Sequence, residues 1–138
     1  MNINDIEELC KTEPREVEFV FLGKKTGWFF TLLHDSSKEV SAFMKSYHSK
    51  VRNLSLKRKT NAVNNLAEKH ADDLRIVQVS DWRWEKGEAK GRPAFSNKEL
   101  RIALDNPHFG WHLGAFIDEE VGSLEDFLSK PANNSETV

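Results

Sequence analysis

His108 and His112 stand four residues apart, a spacing that puts two side chains on one helix face, as metal-ligand pairs require. A zinc site needs a third ligand, and His34, His48, Asp118 and Glu119 are the available types. Without one, the pair reads as two ordinary histidines near a helix start. His70 falls inside an apolar stripe and reads as a hydrogen-bonded core or interface residue. Cys10 is the single cysteine, so it makes no intramolecular disulfide and no thiolate cage by itself. Coupled to a distant histidine it is a thin basis for a thiol nucleophile, and it reads as a small apolar contact. The Gly87 to Gly91 loop has glycines and lysines without phosphate-loop spacing. Neither a dinucleotide-binding Gly-x-Gly-x-x-Gly nor a Gly-x-Ser-x-Gly nucleophile elbow occurs. The expectation is a protein with no catalytic residues, no metal and no cofactor.

The charged residues are more informative. Residues 38 to 60 hold seven basic side chains (Lys38, Lys45, Lys50, Arg52, Lys57, Arg58, Lys59) against one acidic, Glu39. Residues 118 to 126 hold Asp118, Glu119, Glu120, Glu125 and Asp126 and no base. Three readings fit. The basic face 45–59 contacts nucleic acid, with Trp28 or Trp84 stacking on bases. It is simply a solvated helix face. Or the acidic end of one copy meets the basic face of the next, a complementarity that sets register and gives open assemblies when the contact does not close. Trp82-Arg83-Trp84 alternates, so both rings point the same way in an extended segment, toward a partner or into the core. Trp111 lies off the Phe109/Leu113/Phe116 stripe. Trp and Arg dominate interface hot spots. The candidate partner-binding set is therefore Trp82, Trp84, Trp111, Lys50, Arg52, Lys57 and Arg58, with Asp118, Glu119 and Glu120.

The elements that must position these residues follow from periodicity. Residues 3 to 11 predict a short helix capped by Asn4 or Asp5 and ended by Pro14. Glu16 to Leu22 and Trp28 to Leu33 predict strands joined by the loop Gly23 to Gly27, a β-hairpin over about 16–33 that must lie on an apolar surface. Ser36-Ser37-Lys38-Glu39 reads as a capping box. Beyond it, Val40, Phe43, Met44, Tyr47, Val51 and Leu54 form one stripe, and Val63, Leu66, Ala67, His70, Leu74 and Val77 form another. These predict helices 37–57 and 60–79 with a bend, with no Gly or Pro between them to mark a break. Glu85 to Pro93 predicts an exposed loop. Ser96-Asn97-Lys98-Glu99 opens a short helix stopped by Asn106-Pro107; residues 108 to 121 predict another, and a last short helix holds Leu124, Phe127 and Leu128. The expected fold is α+β and mainly helical. An N-terminal hairpin packs on a bundle of about four to five helices, in one domain over 1–130 with the helical part at about 36–129. Residues 131–138 read as a flexible tail.

Composition bounds the rest. At 138 residues the chain is long enough for one core, and its net charge of −2 argues against a general nucleic-acid binder. Nine Phe, four Trp and one Tyr exclude wholesale disorder, since so much apolar surface must be hidden. No run approaches the roughly 20 apolar residues of a membrane span. The N-terminus lacks the basic start and apolar stretch of a signal peptide, and the lone cysteine fits a reducing, cytoplasmic setting.

The order of features resembles a known family, the tail assembly chaperones of long, non-contractile-tailed bacteriophages. The resemblance covers about residues 28 to 128. It consists of a β-rich start ending in Leu32-Leu33-His34-Asp35-Ser36, a polar helical middle from Phe43 to Ala71, Val79-Ser80-Asp81-Trp82 running to Gly91-Arg92-Pro93, and Phe95-Ser96-Asn97-Lys98-Glu99-Leu100 followed by Asn106-Pro107 and Phe127. It implies a non-enzymatic scaffold in the cytoplasm of an infected or lysogenic bacterium, one that coats the tape measure protein, recruits tail tube subunits and is absent from the finished tail. It also implies, as in many members, a longer product made by a frameshift near the end. No catalytic residue is carried over. The expected partners are copies of itself, the tape measure protein and the tail tube protein, with no membrane; nucleic acid is the alternative partner.

Overall fold

Where the sequence shows glycine at both ends of a loop, the chain makes a much tighter turn. In the computed structural model, which describes residues 1–123 and 125–128, β1 (Arg15–Phe21) and β2 (Lys24–Leu32) are joined by Leu22 and Gly23 alone. Both have positive φ, 51° and 77°, the backbone that matches strand twist in a two-residue hairpin. Lys24 to Gly27 are therefore strand, not loop, and the ladder absorbs the surplus in a bulge between Glu18 and Val20.

The hairpin is also not alone. Val79–Trp84 forms β3, which pairs antiparallel with β2 and completes a sheet of order β1-β2-β3. The register sets Trp84 opposite Trp28 and Trp82 opposite Phe30, so these rings share one face. On the other face Arg83 donates to both carboxylate oxygens of Glu16 at 2.8 Å and lies 4.1 Å over the Phe29 ring.

Between β2 and β3 run α2 (Lys38–Leu56) and α3 (Thr60–Gln78). The helices are distinct. Arg58 adopts φ 57°, its amide donates to Ser55 O and the Lys59 amide to Leu54 O. This is the αL stop usually built on glycine, and an arginine fills it here. Ser37 caps α2, accepting from the Val40 amide, while Ser36 is engaged by the His34 ring. The cap thus sits one residue later than the expected box. Ser96 caps α4 (Asn97–Leu104) as its spacing predicts. The expected helix from residue 108 begins later, as α5 (Gly110–Val121). The first helix is α1 (Ile3–Leu9), capped by Asn2 with Asp5 closing the box, rather than by Asn4 or Asp5. Glu125–Phe127 is a 3₁₀ turn that inserts Phe127 into the core. The last helix with Leu124 and the tail 131–138 lie partly or wholly outside the described residues.

Helix makes up about 54% and strand about 20% of the described residues, so the class is α+β and mainly helical. The single-bundle expectation needs correcting. Phe30, Leu32, Leu100, Leu113, Ile117 and Phe127 are fully buried where α4 and α5 cover the inner sheet face. Of α2 and α3 only Val40, Ile76 and Gln78 are buried, all at the end rooted in the sheet. No residue from 41 to 75 is buried. The two apolar stripes face each other, with His70 stacked 3.9 Å from Tyr47 and 5.7 Å from Phe43. Nineteen helical residues span about 28 Å. The pair forms a two-helix arm on a sheet-and-helix body.

Candidate interaction surfaces

The proposed tryptophan pair does face one way, but inward. Trp82 is 5% exposed and Trp84 half-buried. Their indole N–H groups both donate to the Pro93 carbonyl at 2.9 Å, and Trp84 stacks on Trp28 at 4.5 Å. This corrects the reading of Trp82 and Trp84 as displayed contacts: the sheet supplies the core they plug. Trp28 is buried too, so it cannot stack on a base. An apolar cleft of about 360 Å³ opens beside this aromatic cluster, with Ile102, Asn106 and Phe109 on its far wall.

Trp111 behaves differently. It is 79% exposed on the outer face of α5. It meets His112 edge-on at 5.2 Å, and His112 meets Phe21 of β1 at 5.2 Å. His112 is thereby committed to an aromatic row. His108 lies before α5, where its amide donates to Asn106 Oδ1, so the two histidines do not share a helix face. Among the described residues, no group of three or more His, Cys, Asp or Glu is placed to hold a metal ion. Cys10 is exposed at the end of α1 rather than packed as an apolar contact.

Lys50, Arg52, Lys57 and Arg58 all lie exposed on the arm. With Lys45, Lys59 and Lys69 they make seven cations over residues 45 to 69 against one carboxylate, Glu68. None of the seven is in an ion pair among the described residues. The acidic end is partly spent internally. Asp118 receives a two-pronged bond from Arg75, at 3.0 and 2.6 Å. Glu120 pairs with Arg15 at 3.3 Å. Glu119 alone of the three remains exposed and unpaired among the described residues. Asp118 therefore serves the root of the arm rather than a partner. Arg75 also reaches Asp72 at 3.0 Å, and its guanidinium fits because Gly114 has no Cβ, which would stand 3.1 Å from it. Hydrogen bonding to Asp118, chiefly, raises the Arg75 pKa above its usual value. Arg101 with Asp73 and Gln78 with Asp35, each at 2.8 Å, complete the root.

The sequence reading passed over two exposed side chains. Leu22 at the hairpin turn is 74% exposed and Leu56 at the arm tip 76%. Each has a local signal: Leu22 precedes Gly23 between alternating strands, and Leu56 opens the basic run. No helix among the described residues is long and apolar enough to cross a membrane. Set against family models, curated proteins and solved structures, the chain matches none.

Proposed function

We propose that this protein is a non-enzymatic phage tail assembly chaperone. It self-associates and binds the tape measure protein and tail tube subunits in the bacterial cytoplasm during tail morphogenesis. The observation that carries this reading is the arm. Its cations have no carboxylate partner in the described fold, and its outer faces bury nothing, so its sequence serves contact with another molecule. A basic helical arm suits a long helical partner with acidic faces, whose charge it reads and whose length it follows. The residues behind the resemblance fit as well. Val79 to Trp82 lie in β3, Ser96 caps α4 and Leu100 is fully buried, so these residues have architectural roles.

The test mixes the purified chain with a tape measure protein and a tail tube protein of a long-tailed phage. Co-sedimentation with both, lost on reversing Lys50, Arg52, Lys57 and Arg58 to Glu, supports the proposal. No complex with either at low salt overturns it. The same unpaired cations keep nucleic acid as the second reading, through the face 45–59 without aromatic stacking. A gel shift at about 50 mM salt decides it, since phosphate contacts are strongest there.

A further inference from the structure

Two surfaces share three properties. Each shows a large exposed apolar side chain, a non-glycine residue with positive φ, and exposed charge with no ion-pair partner among the described residues. At the arm tip these are Leu56, Arg58 at φ 57°, and the cations Lys57, Arg58 and Lys59. At the body edge they are Leu22, itself at φ 51°, the exposed Trp111, and Glu119. Leu22 and Arg58 are the only two such residues described. A left-handed backbone is disfavoured for both by the Cβ-carbonyl contact, and such conformations gather at functional sites. Trp is among the side chains most enriched at interface hot spots.

The body edge is also concave. A cleft of about 330 Å³ runs between the hairpin and α5, with Val20, Phe21 and Leu22 on one wall and His112, Phe116 and Glu119 on the other. Trp111 continues the α5 wall through its contact with His112. Lys24 and Lys25 are exposed on the hairpin side, and of the three carboxylates that line the cleft Glu18 accepts from the Gly27 amide and Glu120 pairs with Arg15, so attraction for a basic group comes chiefly from Glu119.

We infer that the arm tip of one copy docks in this cleft of the next, Leu56 entering between Leu22 and Trp111 while the tip cations face Glu119. Opposite charge and matching apolar anchors single out a second copy as the occupant. The two surfaces are different, so the contact is heterologous and each added copy leaves one tip and one cleft free. Copies therefore add head to tail, in an open row where the rotation does not close into a ring. This rests on the self-association in the proposed function and specifies its interface.

Sedimentation velocity on three full-length chains tests it: wild type, a tip variant (Leu56→Asp with Lys59→Glu) and a cleft variant (Trp111→Asp). At low salt the wild type gives a ladder of multimers, and each variant alone sediments as a monomer. An equal mixture of the variants gives a dimer and stops, because one intact tip and one intact cleft remain. That dimer also shows that both variants are folded. If either fails to fold, Leu56→Ala and Trp111→Ala replace them and each weakens association about tenfold. Variants that still form ladders, or a mixture that stays monomeric, overturn this docking pair and leave the chaperone reading standing. A wild type that is monomeric at every concentration and salt removes the docking and the self-association together.

Discussion

In the body, Trp28, Phe30, Trp82 and Trp84 pack at ring distances of 4.5 to 5.6 Å across two strands, and the Trp82 and Trp84 N–H groups turn to a loop carbonyl where they find a partner. In the arm, the apolar stripes of two 19-residue helices reach only half burial, because each has just the other to pack against. The charges divide the same way. The arginines Arg15, Arg75, Arg83 and Arg101 of the body and root each hold a carboxylate, whereas the arm cations hold none among the described residues, like the exposed body lysines Lys24, Lys25, Lys86 and Lys98. The difference teaches how a near-neutral chain builds a charged tool. It pairs arginines of the body and the arm's root with carboxylates, and leaves the arm basic.

The sharpest way to break this division is to cut into each part separately. Phe30 is fully buried amid Phe19, Trp28, Trp82 and Phe116. Phe30→Ala should cost about 3–5 kcal/mol, seen as a lower denaturant midpoint for the whole protein. Leu66→Ala, in the half-buried arm stripe, should cost about 1–2 kcal/mol and act locally. Hydrogen exchange should then speed up across residues 43 to 73 while the amides of β2 and α5 keep their protection. Equal loss of protection in both parts would show that arm and body unfold as one unit.

The arm was the more legible half in kind and the less legible in arrangement. Its stripes and their spacing are local, so both helices could be read. Their break could not, because Arg58 occupies the position where glycine would have announced it. In the body, alternation placed both Trp82 and Trp84 on one face, but which face depends on β3 pairing with β2, whose partners lie about fifty residues away across the arm. The loop reading of Gly23 to Gly27 failed for a similar reason: the turn's first position carries Leu22 and not the usual Asn or Asp. The acidic end looked available because its partners, Arg75 and Arg15, lie 43 and 105 residues away in sequence.

Two left-handed residues allow the comparison to be sharpened with gains in stability. Arg58→Gly at the arm tip and Leu22→Asn at the hairpin turn each relieve a disfavoured backbone and should stabilise by about 0.5–1 kcal/mol. Thermal unfolding checks this, and a drop in stability would mean that the native side chains make contacts outweighing the strain. Leu22→Asn should at the same time weaken self-association, whereas Arg58→Gly, which keeps Leu56, Lys57 and Lys59, should weaken it less.

The smallest effect is expected on the open face of the sheet, where an exposed ion pair is screened by solvent. Hydrogen bonding from Arg83 holds Glu16 below the usual carboxylate range, against a smaller opposing effect of desolvation. A carboxylate with a lower pKa in the folded state than in the unfolded one adds stability above its unfolded value. That contribution is lost as pH falls through the folded value. Glu16→Gln should therefore be less stable than wild type near neutral pH, and the gap should close below about pH 4. A gap that stays constant down to strong acid would mean that Glu16 acts through packing against β2 and not through its charge. The arm gives the contrast. Lys50, Arg52, Lys57 and Arg58 have no carboxylate partner to lose among the described residues, so acidification breaks no ion pair of theirs while it removes the one between Glu16 and Arg83.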